Sequence, residues 1–132
     1  MGLRYLLDTN AVSYLVRREG RVAERLLERQ RFEVTMSSIT VAELRFGAEL
    51  KRSTKLHRAI DTLVAELGAA PFDTVAADEF ARIACRLRAR GTPIETLDAM
   101  LAGHAVSLGC ILVTRNVSHF SRVTGLTTED WY

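Results

Sequence analysis

The sequence predicts an α/β fold, a three-layer sandwich with a mainly parallel central sheet. Three observations lead there. Short apolar runs alternate with helical stripes along the chain, the pattern of helices laid on both faces of a sheet. The run Cys110-Ile111-Leu112-Val113, ending at Thr114, is apolar without alternation, as in strands covered on both faces. No linker or low-complexity stretch divides the 132 residues, so residues 1–132 read as a single domain.

Each element has a local reason. Leu3 to Leu7 reads as the first strand and stops at Asp8-Thr9-Asn10, where Asn10 is expected to cap a helix carrying Ala11, Val12, Leu15 and Val16. Val22, Ala23, Leu26 and Leu27 form a second short stripe, and Glu33 to Met36 a brief strand ending in Ser37-Ser38. From Ile39 onward, Ile39, Ala42, Phe46 and Leu50 step by three and four residues, the spacing of one helix face. Core packing is the default expectation for Leu15, Phe46 and Leu50, with a groove or dimer seam as the alternative. Ile60, Leu63, Val64 and Leu67 mark the next helix, and Ala70 to Phe72 a short strand. The following helix turns Phe80, Ile83, Ala84 and Leu87 inward and stops at Gly91, with Pro93 just beyond. Thr96 is expected to cap a helix with Leu97, Met100, Leu101, Ala105 and Leu108, closed by Gly109 before the strand at Cys110. The order is β-α-α-β-α-α-β-α-α-β.

Composition narrows the functional classes. With 48% hydrophobic and 26% charged residues, the chain has enough apolar surface for one core, and disorder or a repeat array is excluded. No apolar run approaches the ~18 residues that span a bilayer. The opening MGLRYLLDTN lacks the long apolar stretch and cleavage site of a secretory leader, so a cytoplasmic location and a reducing environment are expected. Cys85 and Cys110 read as small buried hydrophobes. The net charge of +2 hides an asymmetry: residues 1–58 carry 12 Lys/Arg against 7 Asp/Glu, residues 59–132 carry 6 against 9. Such a basic half is compatible with a nucleic-acid partner without requiring one.

In parallel sheets ligands bind beyond the C-terminal ends of the strands. Asp8 ends the first strand, Glu43 lies near the start of the helix after the second, and Asp98 lies in the first turn of the helix before the clearest strand. Asn116 follows that strand, just after Thr114. Each position has a structural explanation of its own. An acid in the first turn stabilises the helix dipole, Thr40-Val41-Ala42-Glu43 fits a capping box, and Asp8 suits a turn. Their shared end of the sheet favours a site. Three carboxylates in one cleft repel one another, a conflict that a divalent cation resolves. Oxygen ligands suit Mg²⁺ or Mn²⁺, whereas His57, His104 and His119 are too scattered for a zinc site.

LLDTN, SSITVAELRFGAE, GTPIETLDAMLAGHAVSLGCILVTRN and HFSRVTGL, in that order, resemble the PIN-domain nucleases and in particular the VapC toxins of toxin–antitoxin pairs. The likeness runs from about Leu3 to Trp131. It implies a PIN-like fold and a Mg²⁺-dependent endoribonuclease, with Mn²⁺ as a substitute, acting on cellular RNA such as transfer or ribosomal RNA through a metal-activated water. It assigns Asp8, Glu43, Asp98 and Asn116 to catalysis, with Asp8, Asp98 and Glu43 as metal ligands. Position 116 is Asn where many relatives have Asp, which leaves three formal negatives instead of four. Thr9, Asn10 and Thr114 are the expected supporting residues. Arg115, Arg17, Arg18, Lys51, Arg52 and Lys55 are the candidates for RNA contact, while Arg45, two residues past Glu43, is expected to turn away from the metal toward a partner or dimer surface. The resemblance further implies a homodimer, a cognate VapB-type antitoxin and DNA contact only through that antitoxin.

Three other readings compete with it. One is a receiver domain, which would show a cluster of acids near its N-terminus and a Lys after a late strand, whereas residues 108–132 contain no Lys. A haloacid-dehalogenase-like phosphohydrolase also places Asp at the end of a first strand, but it requires a second Asp where this chain has Asn10. A catalytically silent PIN scaffold that only binds partners is the third.

Overall fold

Side-chain alternation along the strands decides the layers of the molecule. The computed structural model describes residues 2–132. In β1 (Tyr5–Leu7) all three residues are buried, Tyr5 and Leu7 in one core and Leu6 in another. α1 (Thr9–Arg17) follows, then α2 (Val22–Leu27), a 3₁₀ turn at Arg31–Glu33, and β2 (Val34–Ser37). α3 (Ser38–Leu50) and α4 (Thr54–Leu67) lead into β3 (Ala69–Ala70). α5 (Thr74–Ala89), α6 (Thr96–Leu108), β4 (Ile111–Val113), α7 (Val117–Phe120) and β5 (Thr128–Glu129) complete the chain. The strands form one sheet of order β3-β2-β1-β4-β5, every neighbouring pair parallel.

The two cores correspond to the two faces of this sheet. Tyr5, Leu7, Val34, Met36 and Val113 meet residues of α1 to α4 on one side, whereas Leu6 and Leu112 meet Ile83, Leu87, Ala102 and Ala105 of α5 and α6 on the other. That is the expected α/β sandwich. β1 is central and pairs with both β2 and β4, so the strand order reverses there, and in parallel sheets ligands bind beyond the C-terminal strand ends at such a point. β5, a strand the sequence reading did not anticipate, extends the sheet through pairing with β4. Trp131 beyond it packs on Tyr5 at 5.1 Å between ring centroids, and the Arg29 guanidinium lies over both rings.

Several local expectations are corrected. The α1 cap is Asp8, not Asn10: Asp8 has extended backbone and its Oδ1 accepts from Ala11 N at 2.7 Å, while Asn10 is an exposed first-turn residue. The α3 cap is Ser37, which places Thr40 buried in the first turn and Glu43 in the second, so no capping box joins them. α6 begins at Thr96, with Glu95 in the cap position. The inward face of α3 runs through Ile39, Val41, Leu44 and Ala48, leaving Phe46 67% and Leu50 70% exposed. This helix is apolar on most sides, so residue spacing alone does not choose its inner face. Cys85 is exposed, on the outer side of α5, whereas Cys110 is buried.

α5 and α6 approach each other closely at Gly103. A Cβ placed on Gly103 of α6 would lie 2.5 Å from Phe80 N and 2.7 Å from Phe80 Cα, so only glycine lets the two backbones meet at this point. Gly103→Ala is expected to cost about 1–3 kcal/mol through forced separation of the helices. Urea denaturation of the variant should show a lowered midpoint, and an unchanged midpoint would mean that the helices separate freely.

Candidate active site

The C-terminal end of the sheet at β1 and β4 brings acidic residues from three separate parts of the chain within electrostatic range of one another. Asp8 is delivered by the end of β1. It is 5% exposed, and its backbone N donates to Val113 O at 3.0 Å, which ties it to the end of β4. Burial is the main force that raises its carboxyl from 3.8 to about 6, against the bonds from Ala11 N and Thr114 that favour the anion. The negative charges of Asp98 and Glu43 push in the same direction as burial. Asp8 therefore feels both other acids through space, although 35 and 90 positions separate it from them in the sequence.

Glu43 and Asp98 have each found a partner within the protein. The Thr9 hydroxyl, in the first turn of α1, donates to Glu43 Oε1 and also approaches Thr40 Oγ1 at 3.2 Å, so Thr9 joins α1 to α3. Asp98 Oδ2 lies 3.1 Å from His119 Nε2, which α7 supplies. His119 was missed as a site residue; its position three after Asn116, on one side of a helical turn, is the signal that points to it. Asn116 is exposed in the α7 cap position, and its backbone N donates to Thr114 Oγ1 at 3.0 Å. Among the described residues, no three His, Cys, Asp or Glu side chains are drawn together as a preformed metal cage. The backbone positions converge while the three carboxylates are each held by a neighbouring donor: Ala11 N, the Thr9 hydroxyl or His119.

The donor chemistry fits a hard divalent cation. All three acids offer oxygen, and like charge around a buried carboxyl whose pKa is lifted is the imbalance that such an ion relieves. The remaining His side chains serve elsewhere. His104 is buried in α6 with Nδ1 2.8 Å from Ser37 Oγ, and burial lowers its pKa. His57 on α4 receives the Arg45 guanidinium at 2.9 Å on Nδ1, and the same guanidinium pairs with Asp61. Arg45 thus fastens α3 to α4.

The basic candidates divide. Arg17 and Lys51 line a cavity of about 250 Å³ between α1, α3 and α4, together with Thr9, Glu43, Leu44 and Ile60. Arg18 and Arg52 are exposed just past the ends of α1 and α3, both with positive φ. Lys55 is exposed in the first turn of α4. Arg115 is exposed beside Asn116, its guanidinium 3.6 Å from the centre of the Tyr132 ring.

The PIN domain family model matches residues 5–126, nearly the whole chain. The chain belongs to the PIN-domain family. Among its relatives, the tRNA(fMet)-specific endonuclease VapC of Shigella flexneri is 34% identical over 130 residues, covering 98% of each protein. Ribonuclease VapC1 of Haemophilus influenzae strain R2866 is 36% identical over 132 residues, covering 96% of this chain and 97% of the relative. Two solved structures are similar throughout. The DNA-bound VapBC structure from Salmonella typhimurium has a TM-score of 0.89 at 34% identity, covering 98% of this chain and 99% of that one. VapBC-1 from nontypeable Haemophilus influenzae has a TM-score of 0.86 at 34% identity, covering 98% of both. Membership of the PIN family disposes of the phosphohydrolase alternative, which also lacks its second acid, since position 10 is an exposed Asn. No helix among the described residues is long and apolar enough to cross a membrane.

The lifted Asp8 pKa links stability to pH in the metal-free protein. Because the folded value of about 6 exceeds the ordinary 3.8, the stabilising contribution is complete below about pH 4. It is lost as pH rises through 6. At neutral pH the cost of the buried anion is on the order of 3 kcal/mol. Asp8→Asn keeps an oxygen to cap α1 and removes that charge. Its metal-free melting temperature should exceed that of the wild type at pH 7.5, with the difference vanishing near pH 4. A less stable variant at pH 7.5 would contradict the electrostatic account.

Proposed function

We propose that this PIN-domain protein is a divalent-metal-dependent endoribonuclease of the VapC type and the toxin of a pair whose antitoxin is VapB-like. One observation carries the reading. Asp8, buried at the end of the central strand, has its carboxyl raised by burial and by the nearby charges of Asp98 and Glu43, at the switch point of a parallel sheet. The names of the relatives, ribonuclease and tRNA-specific endonuclease, point to RNA as the substrate class.

Asp8, Asp98 and Glu43 would hold the ion, with Mg²⁺ favoured by the oxygen donors and Mn²⁺ able to replace it. When bound, such an ion withdraws charge from a scissile phosphate and makes water more acidic. The protein's own residues prepare that site. Thr114 bonds to the Asp8 carboxylate and to Asn116 N, so one hydroxyl orients two of the four positions. Thr9 holds Glu43, and His119 holds Asp98. The Asn116 amide adds an oxygen without a fourth negative charge. Arg17, Lys51 and Arg115 bring positive charge to the rim, where substrate phosphates must approach an acidic centre.

The cavity between α1, α3 and α4 suits an antitoxin segment. Its walls include Val16, Leu44, Leu56 and Ile60, and Glu43 among them offers a carboxylate to a basic side chain. A segment lying there would compete with both metal and RNA. The VapBC structures from Salmonella typhimurium and Haemophilus influenzae are the precedent for such a partner. Contact with operator DNA would then come through the antitoxin, and a homodimer is the expected state of the toxin.

Purified protein with Mg²⁺ is expected to cleave RNA into products with 5′-phosphate and 3′-hydroxyl ends, because water and not the 2′-hydroxyl is the nucleophile. EDTA should stop cleavage and Mn²⁺ restore it. Asp98→Asn should lower the rate by at least about a hundredfold, the scale on which a catalytic electrostatic group acts. Sequencing of RNA 5′ ends after pulsed expression of wild type and Asp98→Asn reads the same outcome in cells. Equal cleavage by the variant, or cleavage in EDTA, would leave the silent scaffold as the better reading of this site and assign the activity to a contaminant.

A further inference from the structure

The start of α3 is tied to three other parts of the chain. Thr40 Oγ1 lies 3.2 Å from the Thr9 hydroxyl of α1, and Ser38 Oγ accepts from Phe72 N, just after β3, at 3.0 Å. Ser37, the α3 cap, is fully buried and reaches α6: its Oγ stands 2.8 Å from His104 Nδ1. The His104 imidazole is itself buried, bonds also to the Pro71 carbonyl and meets the Phe72 ring edge-on at 5.5 Å. Burial lowers its pKa against the pull of the Asp73 charge and of that carbonyl, so the ring is neutral at pH 7.

Filling space does not require a histidine at this point. The other buried residues of α6 are Ala99, Leu101, Ala102, Gly103 and Ala105, and an apolar side chain would pack among them without burying a polar group. Capping does not require a serine either, since glycine caps a helix nearly as well and has no proton to place. Ser37 Oγ already accepts from Ile39 N at 3.0 Å, so its own proton, shut away from water, needs an acceptor, and Nδ1 of a neutral ring supplies one. What the pair adds is a directional bond between α3 and α6. Those helices carry Glu43 and Asp98, each six residues, or about 9 Å along its helix, from its end of that bond. The neighbouring Gly103 sets how near α6 comes to α5, and His104 sets where it stands against α3.

We propose that His104 is a positioning residue for the candidate metal centre: by holding Ser37 it fixes the helix of Asp98 against the helix of Glu43. The proposal rests on the nuclease reading above and adds to it a determinant that lies outside the acids and their donors. His104 touches neither substrate nor ion. A shift of α6 against α3 displaces one acid relative to the other, and a small displacement made far from the chemistry is enough to weaken a site that depends on both. A histidine of purely structural value would change the stability of the fold and leave the affinity of the folded protein for the ion as it was.

The test measures Mn²⁺ binding to the full metal-free chain by electron paramagnetic resonance of the free ion, at a temperature where circular dichroism shows each variant folded. Ser37→Gly and His104→Leu both remove the bond, and each should weaken Mn²⁺ binding about tenfold, the scale on which loss of a group that orients a metal ligand acts. The double variant should lose no more than either alone, because both break the same bond. His104→Asn sets a side-chain amide near the place of Nδ1 and should hold the affinity within about threefold of wild type. If the His104 variants do not fold, Ser37→Gly carries the test, since glycine is a good cap. Mn²⁺ affinity of Ser37→Gly within about twofold of wild type, whatever its melting temperature, would overturn the proposal and leave the bond as core packing. A loss in His104→Asn as large as in His104→Leu would overturn it too, because ring volume and not the hydrogen bond would then set the affinity. Either result beside Mn²⁺-dependent RNA cleavage by the wild type leaves the nuclease reading intact. A wild type that neither binds Mn²⁺ nor cuts RNA would overturn both.

Discussion

One carboxylate sets the terms for this molecule. Asp8 closes the central strand, caps the first helix through Ala11 N, and sits nearly out of solvent within the field of two other acids. A buried carboxyl in that position raises the energy of the metal-free fold. It persists because β1 is held on both sides by parallel neighbours, and its terminal residues cannot move without breaking the pairing of Leu7 with Met36 and Val113. The sheet supplies the rigidity, and the acid uses it.

The surroundings spread the electrostatic load in the metal-free state. Thr9 engages Glu43, His119 engages Asp98, and Thr114 engages Asp8, so each acid has a donor within reach even though the three together make no cage. Such an arrangement holds each acid to its own donor and keeps the three apart. It also couples the site to three elements at once. α1 contributes Thr9, α7 contributes His119, and the residue after β4 contributes Thr114, so a partner that shifts any of them alters the acids.

Legibility in the sequence followed the strength of local signals. β4 was clear because an unbroken apolar run has few alternatives, and β1 with α1 was clear because an apolar run meets a turn and then a helical stripe. β5 was not visible: Thr128 and Glu129 have no apolar pattern, and only pairing with β4 makes them a strand. Phe46 and Leu50 misled because α3 carries apolar residues at helical spacing on two faces. The Asp8 cap was displaced to Asn10 because both residue types cap well, and the choice between them depends on where the strand ends. Cys85 was read as buried from the habit of its residue type, whereas its place on α5 faces water.

By itself, the sequence determined the α/β class, the family, and the presence of acids at strand ends, since these depend on residue type, order and spacing along the chain. Tertiary structure alone decided that His119 stands against Asp98, that Arg45 joins α3 to α4, and that Arg115 lies on the ring of Tyr132. The physical reason is range. Propensity and periodicity act over a few neighbouring residues, whereas a hydrogen bond or a ring contact depends on which distant segments the parallel sheet brings within a few ångströms of one another.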